Sequence, residues 1–310
     1  IKIRITFKHD IMKKTVIFLI SLIFFSPLNA ENGTQKVLDN VYSKGSETVE
    51  KFIFNLLPDG PGDTEVSIQV KQDNKPTGSI MFVRPFSIED DSVLFYQAQF
   101  NNSYISGKNR KSINYGLGKR ILSDDKSYFM GLNSFFDLDH KFNKRLSLGA
   151  ELYASNFELN GNYYFGFGGG NHVRDNTERV LDGRELNIKG QVPYTPWANI
   201  AYNNYKWLSE KNSDDSSGDK FKGEFYVTNN FTFEFGLDDN NINKDQYFVK
   251  LIYLPYSKER PTMADGHSSK AFLNSDVREK MLQRVERSNL LVLELESSGV
   301  VVVNGSDNFS

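Results

Sequence analysis

The stretch that decides the fold is RLSLGAELYASNFELNGNYYF, residues Arg145–Phe165. Its first half alternates strictly between an apolar set (Leu146, Leu148, Ala150, Leu152) and a more polar set (Ser147, Gly149, Glu151, Tyr153). After a short turn at Ala154–Asn156 the alternation resumes, with Phe157, Leu159, Tyr163 and Phe165 on one face. Because successive side chains of a strand point to opposite faces, this pattern predicts two adjacent antiparallel strands with one apolar face and one polar face.

The same period of two extends over most of the chain. From Glu65 to about Tyr253, short alternating runs are separated by turn residues. We count twelve runs, near residues 65–72, 79–86, 93–102, 111–121, 127–137, 144–154, 156–166, 183–192, 196–207, 219–228, 230–237 and 245–254. Most of them have the length of about 9 to 11 residues that a tilted strand needs to cross a bilayer.

The polarity of the two faces indicates a transmembrane barrel. Leu94, Tyr96, Ala98 and Phe100 would face lipid, while Gln97, Gln99 and Asn101 would face a polar lumen. The run Phe221, Gly223, Phe225, Val227 sets its polar face at Lys222, Glu224 and Thr228. The phase between Trp197 and Trp207 is unclear, as a bulge or a misplaced strand boundary would make it.

A soluble β-sandwich is the alternative, because its strands also alternate. Two features favour the barrel: the polar set is large and charged, and aromatic residues cluster at strand ends, as at Tyr128, Phe136, Tyr163 and Tyr253. The composition agrees, since only 39% of the 310 residues are apolar while 14% are aromatic. There is no cysteine, which excludes a disulfide framework or a thiolate site, and a net charge of -2 argues against nucleic acid as a partner.

Residues 1–30 are interpreted as upstream residues followed by a signal peptide. Translation would start at Met12, Lys13 and Lys14 form the charged region, and an apolar stretch runs from Val16 to Phe25. We expect cleavage after Ala30. The apolar run is too short for a membrane anchor, which needs about 20 residues. Residues 31–62 follow as an amphipathic helical segment that ends at Pro58–Gly62.

The connections between strands fall into two groups. Asn102–Lys111, Gly166–Asp182 and Leu208–Asp219 are expected to be long polar loops. Ser123–Lys126, Ala154–Asn156 and Thr228–Asn230 are expected to be tight turns. Short turns on one side and longer loops on the other are typical of outer-membrane barrels.

The chain behind the last strand is charged. Residues 258–295 contain a predicted short helix at Asp276–Arg287, with Val277, Met281, Leu282 and Val285 as its apolar stripe. Leu290–Leu293 and Val300–Val303 are apolar runs of extended character.

Several strings resemble consecutive barrel strands of the intimin and invasin family, the inverse autotransporters. They are INYGLGKR at residues 113–120, MGLNSFFD at 130–137 and RLSLGAE at 145–151. Residues 64–69 are similar to the family's first strand, 182–196 to a later hairpin, and 282–289 to the junction after the twelfth strand. The likeness covers about Thr64 to Leu295.

This resemblance implies an all-β fold: a twelve-stranded antiparallel transmembrane β-barrel with an N-terminal periplasmic helical segment and a C-terminal linker helix in the lumen. The domains would be the signal region 1–30, the periplasmic segment 31–62, the barrel 63–257, a linker threading the pore at 258–295 and the start of a truncated or absent passenger at 296–310. Family members usually continue into immunoglobulin-like repeats, so we interpret the sequence as a gene fragment. A peptidoglycan-binding module is not recognisable ahead of the barrel.

Enzymatic chemistry finds little support in the sequence. His9 precedes the expected start, and His140, His172 and His267 lie in predicted turns without a nucleophile or ligand motif nearby. Gly166–Gly170 lacks the Gly-Lys-Ser/Thr ending of a phosphate loop. The acidic pairs Asp124-Asp125, Asp214-Asp215 and Asp238-Asp239 could hold a divalent cation, but solvated turns explain them more simply. We therefore predict no catalytic, cofactor-binding or metal-binding residue, and no cofactor.

The predicted function is an outer-membrane barrel that exports and displays a C-terminal passenger, with adhesion as the family-level role. A passive pore or structural barrel is the alternative, and an outer-membrane hydrolase is a weaker one. Expected partners are outer-membrane lipid and lipopolysaccharide, periplasmic chaperones and the barrel-assembly machinery, and a host or surface receptor reached through a passenger beyond these residues. The N-terminal segment would be periplasmic and the C-terminus extracellular.

Overall fold

The computed structural model describes residues 60–304 apart from 106, 169, 174–175, 212–213, 243–244, 274–275 and 298–299. The predicted signal peptide and nearly all of the predicted helical segment 31–62 lie outside the described residues. No helix in the described ranges is long and apolar enough to cross a membrane.

Sixteen strands make up the described chain. In chain order they are β1 (Thr64–Lys71), β2 (Thr77–Ile88), β3 (Ser92–Ile105), β4 (Lys108–Leu122), β5 (Tyr128–Asp139), β6 (Lys144–Ala154), β7 (Phe157–Phe167), β8 (Asn171–Val173), β9 (Asn176–Val180), β10 (Asp182–Val192), β11 (Thr195–Leu208), β12 (Ser216–Tyr226), β13 (Phe231–Asn240), β14 (Gln246–Tyr253), β15 (Leu293–Ser297) and β16 (Val300–Asn304).

Twelve of these strands close into one antiparallel barrel, from β1 to β7 and from β10 to β14. Each pairs with the barrel strand before and after it, β7 pairs with β10, and β1 closes the barrel on β14 in a register from Val66↔Tyr253 to Lys71↔Phe248. Closure leaves no barrel strand with an unpaired edge, which is the condition for a sheet in hydrocarbon. The predicted twelve-stranded barrel is confirmed, and the β-sandwich is wrong.

Alternation places polar side chains inside and apolar ones outside. In β4, buried Ser112, Asn114 and Arg120 alternate with exposed Ile113, Tyr115, Leu117 and Ile121. The exposed side chains of the other strands form one apolar belt, which includes Leu94, Phe100, Met130, Leu132, Phe136, Leu148, Leu152, Phe157, Tyr163, Phe165, Leu186, Ile200, Phe221, Phe233, Phe235, Val249 and Leu251. Such a belt around a polar interior is the reverse of a water-soluble protein and fits a lipid-facing wall.

Inward-facing glycines make room for inward-facing rings. A Cβ on Gly118 would lie 2.4 Å from the ring of Phe95 on the next strand, and one on Gly116 would lie 2.3 Å from Phe135. The glycines therefore allow rings to lie flat against the backbone of the neighbouring strand, which packs the lumen without widening the barrel.

The two barrel ends differ. We call the end where β1 begins and β14 finishes the terminal end. Its turns are short: residues 89–91, 123–127, 155–156, 193–194 and 227–230. The opposite end carries the longer connections at 168–181 and 209–215. The prediction of a long loop at Asn102–Lys111 is wrong, because β3 and β4 extend to Ile105 and Lys108 and pair throughout.

The unclear phase between Trp197 and Trp207 has a physical cause. Tyr205 and Trp207 face inward and are buried, whereas Asn204 is outward and exposed near the opposite end, so polarity is inverted there. The register of β10 against β11 also shifts between Gln191 and Val192. Of the four aromatic residues expected at the strand ends, Tyr128, Phe136 and Tyr163 are exposed, but Tyr253 is buried beside Phe231.

Beyond β14 the chain forms two short 3₁₀ helices, Met263–Asp265 and Val277–Leu282. The predicted helix over Asp276–Arg287 is therefore not found as such: Asp276 caps a 3₁₀ helix, and the chain is extended from Gln283. Because the extended backbone bonds to side chains of the barrel wall, as described below, it does not need the hydrogen bonds of a helix.

Candidate functional site: the occupied lumen

Residues 276–292, which we call the lumen segment, run through the barrel from the terminal end to the opposite end. At the terminal end the chain ahead of this segment is held by the Trp197 indole, which donates to the Gly266 carbonyl at 2.7 Å, and by Lys258, which pairs with Asp63 at 3.2 Å. At the opposite end the Leu181 amide donates to the Val292 carbonyl at 3.0 Å. The segment thus joins the two barrel ends through the inside.

An apolar cluster fills one side of the lumen at the terminal end. Val277, Met281 and Val285 of the lumen segment are fully buried in it. The wall contributes Met81, Val83, Val93, Phe95, Leu122, Phe129, Phe135 and Tyr153. All four residues of the predicted apolar stripe therefore contact the wall here, with Leu282 only partly buried. Burying them stabilises the segment at this end.

Arg120 of β4 joins wall and segment just above that cluster. Its guanidinium forms a two-pronged ion pair with Glu151 of β6, with both N–O distances 2.9 Å. The remaining Nη1 donates to the carbonyl oxygens of Met281 and Gln283 at 3.0 and 2.7 Å. The cation lies 4.4 Å from the ring centre of Phe95. One planar fork therefore meets a carboxylate, two carbonyls and an aromatic face.

Asp137 of β5 holds a second joint near mid-lumen. It receives Arg287 of the lumen segment at 2.7 Å and Arg145 of β6 at 2.8 Å, with all three side chains fully buried. Arg145 also donates to the Ser288 carbonyl at 2.6 Å, and Arg287 donates to the Ser147 hydroxyl at 3.1 Å. Two cations on one carboxylate leave excess positive charge, which the Ser288 and aromatic contacts of the two guanidiniums offset in part.

Arg284 lies among carboxylates on the other side of the lumen. It pairs with Glu65 at 2.7 Å, Glu234 at 3.1 Å and Glu224 at 3.4 Å, and with Glu286 of its own segment at 3.0 Å. Nearby wall cations complete the network: Lys189 pairs with Glu158 at 2.8 Å, and Lys222 with Glu234 at 3.4 Å. A cavity of about 200 Å³ opens from this network toward the terminal end.

The backbone of the lumen segment is bonded to wall side chains. Val285 N–H donates to the Gln97 side chain at 2.8 Å, and Ser288 N–H to the Tyr164 hydroxyl at 2.8 Å. The carbonyls of Glu286 and Asn289 accept from Asn162 and Asn114 at 3.0 and 2.8 Å. Buried peptide groups need hydrogen-bond partners. The inward asparagines and glutamines supply the partners that the segment would otherwise have within a helix.

The emerging chain adds to a small sheet at the opposite end. Its order is β16-β15-β9-β8, with β15 antiparallel to β9 from Leu293↔Val180 to Glu296↔Thr177. Arg179 donates to Glu296 at 2.7 Å, and this hydrogen bond holds the pKa of the Glu296 carboxyl below its ordinary value. The Val300–Val303 run, predicted to be extended, lies in β16.

The residues weighed as chemical candidates do not form a site. His140 and His172 lie at the opposite end, in a turn and on β8, whereas His267 lies at the terminal end beside Trp197. In the described ranges no group of three or more His, Cys, Asp or Glu is placed to hold a metal ion. Gly166 packs in β7 and its N–H donates to Asp182 at 2.7 Å.

The acidic pairs have ordinary structural roles. Asp125 accepts from Ser123 and Ser127 in a tight turn, and these bonds lower its pKa. Asp215 pairs with Lys206 at 2.9 Å. Asp238 faces inward to Lys71 at 2.9 Å, while its neighbour Asp239 faces outward and is exposed. The two members of this last pair point to opposite faces and cannot share an ion.

Sequence reasoning missed the arginine joints. Arg120, Arg145, Arg284 and Arg287 stand at inward or linker positions, but their partners lie on other strands, up to 219 residues away for Arg284 and Glu65. The sequence did contain a signal: Arg120 and Arg145 occupy positions that the alternation predicts to face inward. A guanidinium buried inside a barrel needs a carboxylate partner, so an acidic residue could have been expected close to each.

Comparisons with known proteins agree with this architecture. The invasin of Yersinia enterocolitica is 26% identical over 173 residues, which are 54% of this chain and 19% of invasin, so the match spans about a fifth of that relative. Among solved structures, a membrane protein from a study of in-meso crystallization matches with a TM-score of 0.62 at 18% identity, covering 76% of this chain and 100% of its own, which supports the fold. The KdgM porin matches with a TM-score of 0.43 at 9% identity, covering 62% of this chain and 98% of its own.

The family profile described as "Inverse autotransporter, beta-domain" matches residues 24–289, which is most of the chain and includes the barrel and the lumen segment as far as Asn289. On that match and the closed barrel around it, the chain belongs to the inverse autotransporter β-domain family of the outer membrane.

Proposed function

We propose that this barrel exports a C-terminal passenger across the outer membrane and displays it at the cell surface. The observation that carries the proposal is the course of the lumen segment, which enters the barrel at the terminal end and leaves it at the opposite end. A chain that follows β15 and β16 would begin outside the barrel, at the end opposite to the N-terminus of β1. Adhesion through that passenger is the role we assign at the level of the family.

The proposed orientation places the terminal end in the periplasm. Its turns are short, and the longer connections at 168–181 and 209–215 lie at the opposite end, as bacterial barrels arrange them. The predicted signal peptide ahead of β1 supports the same orientation. In this orientation the apolar belt contacts membrane lipid, and lipopolysaccharide would surround the opposite end. The barrel-assembly machinery and periplasmic chaperones are the partners we propose for insertion.

Surface labelling tests this proposal. An epitope is fused after Ser310, and intact cells are incubated with antibody or with external protease. We expect the epitope to be detected on intact cells. Detection only after the outer membrane has been permeabilised would overturn the proposal. A second epitope in the β4–β5 turn at 123–127 is the matched control, because it should become accessible only after permeabilisation.

The passive pore and the hydrolase are less well supported. The lumen segment occupies the pathway that an open pore would need, and its wall contacts are buried. For the hydrolase, His140, His172 and His267 are divided between the two barrel ends. Purified barrel should show no turnover of phospholipid or peptide that depends on any of these histidines when each is changed to Ala.

A further inference from the structure

The hairpin β8–β9, inserted between barrel strands β7 and β10, is anchored by the barrel itself. Glu178 of β9 accepts from Arg110 of β4 at 2.6 Å and from Asn143 of the β5–β6 turn at 2.5 Å. Arg110 in turn pairs with Asp139 of β5 at 2.9 Å. These contacts do not involve the lumen segment, so the wall supplies the hairpin with anchors of its own at the opposite end.

One edge of this hairpin is directed at the exit of the lumen. β8 covers only residues 176–178 of β9 from one side, and β15 covers residues 177–180 from the other. Before the chain has emerged, the second edge of β9 would present unpaired backbone groups, which are a template for strand addition. The strand that fills the edge is the first stretch of chain beyond the lumen.

Side chains complete the fit between this edge and β15. Leu291, Leu293 and Leu295 are buried with Val180 and are packed by Ile105 at the tip of β3. The carboxylate of Glu294 is fully buried and accepts from the Ser209 hydroxyl and from Lys211 N–H at 3.1 Å, both in the β11–β12 loop. A buried carboxylate with fixed donors defines one register for the incoming strand.

We propose that hairpin β8–β9 is a strand-capture site for the exported chain: it binds β15 by strand addition as that segment leaves the lumen, and so opposes its return into the pore. This inference rests on the proposed export function and assigns a partner, the chain's own β15, to its exit. Once β15 is paired outside the barrel, its return into the lumen would break the β9–β15 pairing, the apolar cluster and the Glu294 hydrogen bonds at the same time.

The direct test measures the rate of display. Cells carrying the full chain with an epitope after Ser310 are pulse-labelled, and the half-time for protease accessibility of the epitope is followed. In the variant, residues 171–178 are replaced by a short Gly-Ser linker. We expect display to be slowed or reduced severalfold, while the heat-modifiable migration of the folded barrel is retained.

A charge swap tests the same site without removing the hairpin. Arg179→Glu places a like charge beside Glu296 and opposite Glu294, and we expect at least a twofold loss in the rate of display because the Arg179–Glu296 pair is partly buried. The double variant Arg179→Glu with Glu296→Arg restores opposite charges and should recover the rate. This pair of variants decides the question if the Gly-Ser variant does not fold.

Engineered cysteines test the register in the full chain, which has no natural cysteine. Thr177→Cys with Glu296→Cys are directly opposite and should form a disulfide on intact cells after external oxidation. Val180→Cys with Glu296→Cys, which point to opposite faces of the sheet and are out of register, are the matched control and should not.

The outcomes separate the two proposals. If the epitope of the unmodified chain never reaches the surface, the export function is wrong. If it does reach the surface, but hairpin and charge variants display it at the unmodified rate, or the in-register cysteines stay reduced, strand capture is wrong while export stands.

Discussion

The arginines of the lumen act as joints because each guanidinium has more donors than any single partner uses. Arg120 binds Glu151 with two nitrogens and has a third left for the carbonyls of Met281 and Gln283. Arg145 likewise divides its donors between Asp137 and the Ser288 carbonyl. A lysine ammonium, with three donors on one atom, could not meet a carboxylate side-on and reach the segment at the same time.

Removing one of these joints should be costly at the residue scale. Arg120→Met leaves the buried Glu151 carboxyl group without its cation, and the Met281 and Gln283 carbonyls without a donor. We expect the free energy of unfolding to fall by about 3–5 kcal/mol. Urea unfolding in detergent or lipid vesicles, followed by the fluorescence of Trp197 and Trp207, measures it.

The matched control for this variant is the next residue of the same strand. Lys119 alternates with Arg120 and is exposed on the outer face, so Lys119→Met removes a cation without uncovering a buried partner. It should leave the free energy of unfolding essentially unchanged. If both variants lose the same free energy of unfolding, the buried Arg120–Glu151 ion pair does not stabilise the barrel more than an exposed lysine does.

Ring-on-glycine packing gives a second residue-scale prediction. A Cβ on Gly118 would lie 2.4 Å from the Phe95 ring, so Gly118→Ala must displace a fully buried side chain. We expect a loss of about 1–3 kcal/mol in the free energy of unfolding from overpacking. Gly161→Ala is the control, since the nearest atom to its Cβ would be the Glu185 carbonyl oxygen, 3.7 Å away. Adding Phe95→Leu to Gly118→Ala should recover part of the loss, and its failure to do so would contradict the packing explanation.

At the scale of elements, the strands were predictable because lipid outside and polar packing inside impose the same alternation on each. The run 144–154 was predicted with the bounds that β6 has. The pattern weakened where a side chain has the opposite polarity to that expected on its face. Tyr205 and Trp207 are aromatic but face inward, and Asn204 is polar but exposed on the outside, beyond the apolar belt.

Other elements could not be predicted because long-range partners determine them. Residues 102–111 contain Asn, Ser, Lys and Gly, which suggest a loop, yet cross-strand pairing extends β3 and β4 through them. Residues 283–287 have a helical spacing, but Gln97 and Tyr164 supply hydrogen bonds that favour an extended chain. The hairpin β8–β9 follows a glycine-rich stretch, and its anchor Glu178 meets Arg110 from 68 residues away.

The outer face of a strand should respond to charge according to its place in the membrane. Leu132 is 70% exposed near the middle of β5, and Phe142 is 72% exposed in the β5–β6 turn. Leu132→Arg should cost about 2–4 kcal/mol of folding free energy in lipid vesicles, because it brings a guanidinium toward the middle of the hydrocarbon. Phe142→Arg should cost little, as the turn is beyond the strands. Similar effects of the two substitutions would contradict the lipid-facing belt.

At the scale of the whole molecule, the barrel and the lumen segment form one electrostatic unit. Arg284 brings together Glu65 of the first strand, Glu224 and Glu234 of late strands, and Glu286 of the segment. Asp137 does the same for Arg145 and Arg287. No short sequence motif predicts such a site. Its residues are far apart in the sequence and come together only when the barrel closes and the segment lies in the lumen.

This unity predicts that the full chain conducts poorly and that loosening the segment opens a pore. In planar bilayers at neutral pH we expect the unmodified protein to show little steady conductance, since the lumen segment is bonded to the wall along its length. Arg284→Ala with Arg287→Ala removes the two segment arginines that pair with wall carboxylates deep in the lumen, while Lys280 with Glu158 and most wall pairs, such as Arg120 with Glu151, remain. The segment should then leave the lumen for part of the time and give discrete openings.

The control keeps the change in net charge but not its location. Lys119→Ala with Arg184→Ala removes two cations from the outer face, and the double variant should conduct no more than the unmodified protein. If the openings disappear at raised salt, exposed surface charges cause them, because salt screens exposed charges. The buried ion pairs of the lumen are little affected by salt. If the lumen variant stays closed although its barrel is folded, then the apolar cluster of Val277, Met281 and Val285 is sufficient to retain the segment, and the two arginines position it without holding it in place.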